Sequence, residues 1–177
     1  GLPAAAAALP EGLGRLFARA QEALERGGLA EWSGTTATVA VVDAEARSLT
    51  CAHVGDSRLL VADASRVHFE TSDHSVDALA ERRIAANGGE VRQMTVSGVT
   101  ARRVFIRGQG LPGLSMSRAL GDVQAHMVGV LSEPSIQADV EFAPGSVLVV
   151  ASDGVWEKLP SRAVAAAALR AGAGAGA

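Results

Sequence analysis

The sequence predicts an α+β domain, antiparallel sheet with helices packed on its faces, and three observations carry this. Leu13, Leu16, Phe17, Ala20 and Leu24 recur at spacings of three and four, the period of one helix face. Aliphatic and β-branched runs follow at residues 38–42, 49–54 and 59–62, joined by connectors too short for parallel crossovers, so an antiparallel meander is expected. Strand and helix segments then alternate without the regular strand-helix-strand repeat of a parallel sheet.

Taken in order, the chain opens on Gly1-Leu2-Pro3 and five alanines. With no initiating Met and no basic region before its apolar run, this stretch reads as a cut end, not a secretory signal. Residues 1–11 are expected to be a flexible Ala-rich leader. The first helix should stop near Gly27-Gly28, where backbone freedom favours a terminus. Gly55-Asp56-Ser57 breaks the strand region. Ser75 is the expected cap of a second helix, with Val76, Leu79 and Ile84 as its apolar contacts and Gly88-Gly89 as its stop. Residues 91–104 are mixed in character and 107–112 read as loop. Pro144-Gly145 turns the chain into an apolar strand at 147–151. An alanine-rich helix begins after Ser161, and residues 162–177 are expected to fade into an Ala/Gly tail that lacks the side chains to pack a core.

Composition narrows the function classes. A chain of 177 residues, 48% hydrophobic, has the size of one domain. Its net charge is -3 and no Lys/Arg stripe is present to neutralise a row of phosphates, so no nucleic-acid partner is expected. Its apolar stretches fall well short of the roughly 20 residues a membrane span requires, so no membrane crossing is expected. The single cysteine, Cys51, excludes an internal disulfide framework and a Cys-based zinc site, and favours an intracellular, cytoplasmic or nuclear setting.

Two aspartates stand where an apolar strand meets small residues: Asp56 in Val54-Gly55-Asp56-Ser57-Arg58, and Asp153 in Ala151-Ser152-Asp153-Gly154. A carboxylate at a strand end sits on a rigid base and suits hard cations such as Mg2+ and Mn2+, with Gly154 allowing close backbone approach. An aspartate beside glycine also serves simply to turn a chain, and each motif alone leaves that reading open. Asp122 and Arg118 lie close together in Ser115-Met116-Ser117-Arg118-Ala119-Leu120-Gly121-Asp122. Arg118 could grip phosphate through two parallel bonds or serve as an internal ion pair. Gly108-Gln109-Gly110-Leu111-Pro112-Gly113 fits the dinucleotide fingerprint by letter, but Pro112 and its sequel do not open a helix. The four histidines lack paired helical spacing, and neither Ser57 nor Ser117 sits in a nucleophile elbow, so neither a zinc enzyme nor a serine hydrolase is expected.

Seven segments in one order carry a family resemblance: Ser33-Gly34-Thr35-Thr36-Ala37, Val54 to Arg58, Ser72-Asp73-His74, Glu81-Arg82-Arg83-Ile84 with Gly88-Gly89, Leu114 to Asp122, Glu133-Pro134, and Ala151-Ser152-Asp153-Gly154-Val155-Trp156. Together they resemble the metal-dependent serine/threonine protein phosphatases of the PPM, or type 2C, family, over residues 12–161. The resemblance implies an antiparallel β-sandwich flanked by helices, with metal at one end. It implies hydrolysis of phosphoserine and phosphothreonine in phosphoprotein substrates by water activated between two Mg2+ or Mn2+ ions, without a phospho-enzyme. By the same resemblance Asp153 binds the metal pair and Asp56 a third ion. Asp122, Arg118 and Gly154 support the site, Asp73 and His74 shape the fold, and no residue of the chain acts as a catalytic nucleophile.

The family's Asp-Gly-His-Gly-Gly segment and its terminal Asp-Asn pair do not occur in the chain. The expectation is therefore an incomplete domain lacking both ends, with negligible turnover by itself. The alternative is a non-catalytic, phosphatase-like module that binds or regulates a protein partner.

Overall fold

The structure is a computed structural model and describes residues 2–96 and 98–174. Its first half runs α1 (Leu2–Gly27), β1 (Gly34–Thr35), β2 (Ala37–Asp43), β3 (Ser48–Val54), β4 (Arg58–Ala62), β5 (Val67–Glu70) and α2 (Ala78–Ala86). Then come β6 (Gly89–Val96), β7 (Val99–Ile106), β8 (Pro112–Leu114), β9 (Leu120–Gly121), α3 (Val123–Met127), β10 (Ser135–Glu141), β11 (Val147–Ala151), α4 (Asp153–Trp156) and α5 (Ser161–Gly174).

Strand alternation explains the layering. In β3, Leu49 and Cys51 point one way, into a cluster with Leu59, Val61 and Val140, while Ala52 and Val54 point the other, onto Leu13 and Phe17 of α1. In β4, Leu59 and Val61 face β3, and Leu60 and Ala62 face Trp156 and the α5 residues Val164 and Ala165. Two antiparallel sheets, β10-β3-β2 and β11-β4-β5, thus lie face to face between α1 and α5, which is the predicted helix-flanked β-sandwich. Because β3 and β4 are buried on both faces, they read as nearly continuous apolar runs. A third sheet, β6-β7-β8, packs with α2 and α3 around Ile84, Val104, Ala125 and Val130.

The expected meander is corrected at one point. β2 and β3 form the hairpin, paired from Ala37↔Val54 to Asp43↔Ser48, but β4 belongs to the other sheet. Both edges of β3 are already taken, by β2 and β10, so the chain at residues 55–57 crosses from one sheet to the other.

The ends also differ from expectation. The leader is helical: α1 begins at Leu2 and runs through Pro10, since alanine is the strongest helix former. The tail is helical through Gly174, for the same reason; the remainder of the expected tail lies outside the described residues. The buried face of α1 carries Leu13, Phe17 and Gln21, whereas Leu16 is 51% exposed. Helix α2 is capped by Asp77, whose carboxylate accepts from the Ala80 N–H at 2.8 Å, and Leu79 is 72% exposed. Among the described residues no helix is long and apolar enough to cross a membrane.

Candidate metal-binding end of the sandwich

The crossover between the sheets is held by several neighbours. Gly55 has φ +90, and a Cβ there would lie 2.3 Å from Thr36 Cγ2, so both conformation and space require glycine. Ser57 Oγ shares a 2.7 Å hydrogen bond with Thr36 Oγ1, and Thr38 Oγ1 donates to the Ser57 carbonyl at 3.0 Å. Arg58 donates from Nε and Nη2 to the two oxygens of Asp73 at 2.5 and 2.8 Å, a bidentate pair. The His74 N–H donates to the Gly55 carbonyl at 3.0 Å, and the Gly55 N–H donates back to His74 Nδ1 at 3.1 Å. None of these bonds engages the Asp56 carboxylate.

Asp153 reaches the same place from the other strand. The β4–β11 ladder ends on the pair Ala151↔Arg58, so Asp153, two residues beyond Ala151, and Asp56, two residues before Arg58, leave the same end of the sheet. Ser152 is extended and Asp153 opens α4, while the Trp156 indole N–H donates to the Ala151 carbonyl at 2.7 Å and pins that turn. Burial pushes the Asp56 carboxyl above its ordinary range, and repulsion from Asp153, Asp73 and Glu157 pushes it further. Of these neighbours Asp73 is paired with Arg58 and Glu157 with Lys158, which among the described residues leaves Asp56 and Asp153 as the two carboxylates here without a cationic partner.

The other predicted residues are placed differently. Arg118 donates to the Glu133 carbonyl at 2.7 Å. Burial is the main cause that disfavours the charged forms of His74 and Arg83, and the nearby Arg118 adds to it. The observed role of Arg118 is to fasten the segment after β8. Asp122 does not join Asp56 and Asp153. It is only 7% exposed, adopts left-handed φ 44, and its backbone N–H donates to the Ser33 carbonyl at 2.7 Å. Burial raises its carboxyl as well, with His126 opposing. Gly154 is not demanded by crowding, because a Cβ there would meet only Ser152 Oγ, at an ordinary 3.6 Å. Glu157 was not anticipated, although its position four residues after Asp153 is the helical spacing that would have shown it. The pairing of Asp73 with Arg58, fifteen residues away, has no local signal.

Asp56 and Asp153 fit a hard cation as part of its ligand set: both are oxygen donors, and their mutual repulsion is what a bound cation relieves. They are not a whole cage, since among the described residues no group of three or more His, Cys, Asp or Glu is placed to hold an ion.

The architecture is a sandwich of two antiparallel sheets between helices, with Asp56 and Asp153 leaving one end of the strands. The chain belongs to the protein phosphatase 2C family, whose model matches residues 7–171, wider at both ends than the expected 12–161. That family is generally metal-dependent. Probable protein phosphatase 2C 3 of Oryza sativa subsp. japonica is 34% identical over 161 residues, 89% of this chain and 32% of the relative. Probable protein phosphatase 1N of Homo sapiens is 34% identical over 165 residues, covering 88% and 35%. The crystal structure of a serine-threonine phosphatase 2C from Toxoplasma gondii superposes with TM-score 0.73 at 23% identity, over 87% of this chain and 53% of that one, and supports the fold. The chain spans about a third of the length of these two curated relatives.

Proposed function

We propose that the full-length protein hydrolyses phosphoserine and phosphothreonine esters in phosphoproteins, using Mg2+ or Mn2+, two ions at the centre and a third at Asp56. The observation that carries this reading is the emergence of Asp56 and Asp153 from one end of the β4–β11 ladder, in a family defined by phosphatase activity. Divalent ions, when bound, lower the pKa of water and offset charge on the phosphoryl group. The chain's own contribution is positional. Asp153 is fixed between the end of β11 and the Trp156 turn, and Asp56 by the crossover, so both carboxylates are presented without rearrangement. An intracellular compartment, cytoplasmic or nuclear, is part of the proposal and agrees with a free, buried Cys51.

The test is Mn2+-dependent release of phosphate from a phosphothreonine peptide by the full-length protein and by its Asp153→Asn variant. Activity in the first and its loss in the second is the expected result. An inactive full-length protein that still captures a protein partner would replace this reading with that of a regulatory module.

A further inference from the structure

We propose that His74 is a positioning residue for the cation site, acting through Gly55 to hold Asp56 in place, with Asp73 as its counterpart on the other flank. The inference rests on the metal reading of Asp56. It begins from a pair of reciprocal bonds: Gly55 accepts from the His74 backbone N–H and donates its own N–H to His74 Nδ1. An acceptor nitrogen carries no proton, so the ring proton is on Nε2, which donates to Ser135 Oγ at 2.8 Å. His74 therefore spans from the residue preceding Asp56 to the start of β10, and parallel stacking on His53, 4.4 Å between centroids and 9° between planes, fixes the ring's orientation. His53 is itself anchored by a bond from Nε2 to the Ser72 carbonyl at 2.9 Å.

On the far side of Asp56 the neighbouring residue Asp73 holds Arg58 with two bonds. Asp73-His74 thus grips the crossover at Gly55 and at Arg58, leaving only Asp56 and Ser57 between the two grips. Ser57 is bonded to Thr36 and Thr38, and none of these bonds uses the half-buried Asp56 carboxylate. This is how supporting residues orient a metal ligand: they fix its backbone and make no bond to the ion.

The two ring nitrogens do different things, and two substitutions separate them. His74→Asn places an amide oxygen where Nδ1 stood and retains the acceptor for Gly55. His74→Gln reaches toward Ser135 and gives that acceptor up. Mn2+ binding to the full-length protein, followed by the electron paramagnetic resonance of free Mn2+, is the readout, with Asp56→Asn as reference and thermal unfolding as the check on folding. The expected result is Mn2+ affinity close to wild type in His74→Asn and about tenfold weaker at the Asp56 ion in His74→Gln. Asp73→Asn, which weakens the other grip, should shift affinity in the same direction and carries the test if His74→Gln does not fold. Wild-type Mn2+ affinity in folded His74→Gln and Asp73→Asn, with the ion lost in Asp56→Asn, would overturn the positioning role and leave the metal site standing. Unchanged Mn2+ binding in Asp56→Asn would remove the metal reading of that residue, and the inference with it.

Discussion

Two Gly-Asp steps in this protein are alike as sequence and opposite as structure. Gly55 follows the end of β3 and Gly121 is the last residue of β9, and both glycines have positive φ, +90 and +76. Neither glycine tolerates a side chain, since a Cβ would fall 2.3 Å from Thr36 Cγ2 in one case and 2.5 Å from the Ser33 carbonyl oxygen in the other. The aspartates then diverge. Asp56 lies at the crossover between sheets, partly exposed, with Asp153, Asp73 and Glu157 close enough to repel it. Asp122 turns inward onto Gly34, so close that a Cβ on that glycine would meet Asp122 Oδ2 at 2.0 Å. One step leaves a half-buried carboxylate among other carboxylates at the crossover, and the other uses one to fill a corner. What a Gly-Asp step does is decided by the surface into which the strand end opens.

The contrast is broken most directly at Asp153, which leaves the same end of the β4–β11 ladder as Asp56. In the full-length protein, Asp153→Asn should lower kcat/KM for a phosphothreonine peptide by about a hundredfold or more, the upper end for losses around a metal site, while the unfolding midpoint holds. A drop in stability of the same size as the drop in activity would place Asp153 with Asp122 as a packing residue.

Next in size is Gly34→Ala, the matching lesion at the closed corner. The added Cβ meets Asp122 Oδ2 at 2.0 Å and the Leu120 carbonyl oxygen at 2.6 Å, so urea unfolding should show a loss of roughly 1–3 kcal/mol. Gly154→Ala is its control at the open end and should stay within about 0.5 kcal/mol of wild type.

The pH dependence of stability separates the two regions further. Burial, then the nearby His53 and Arg118, lower His74 to about 3. Its neutral form is thus favoured by folding, and its contribution is fully present above about pH 6.5, the unfolded value. That contribution is lost as pH falls from there toward 3, and His74→Asn should flatten this acid limb in pH-dependent thermal melts. Asp122 has the opposite sign. Its folded pKa is raised, so its contribution is present below the unfolded value near 4 and is lost as pH rises through the folded pKa. Asp122→Asn should match wild type in acid and exceed it slightly at neutral pH, the smallest effect of the set. Asparagine also tolerates the left-handed backbone of that position.

Much of this architecture was legible because it is local. The run at residues 147–151, ended by Ser152-Asp153-Gly154, became β11 with its aspartate at the strand end, and Gly88-Gly89 closed α2 as read. The hairpin of β6 and β7 was hidden because Arg92, Gln93, Arg102 and Arg103 interrupt the apolar pattern. The structure shows the Arg92 guanidinium lying over the Phe105 ring, 4.5 Å from its centroid, so a charged residue takes up a cation–π contact on the sheet. Leu16 and Leu79 fit a helical period yet face solvent, because periodicity selects a stripe without saying what will cover it.

By itself the sequence determined the α+β class, the strand-end placement of Asp56 and Asp153, and the ordered motifs that mark the family. Each is a property of residues within a few positions of one another, where propensity and turn chemistry act. Only the tertiary structure decided that the chain changes sheets at Gly55, that Asp122 is buried apart from the other two aspartates, and that Asp73 and His74 grip the crossover. Those outcomes depend on which strand edges are already occupied and which faces meet, and such long-range pairings leave no local trace in the chain.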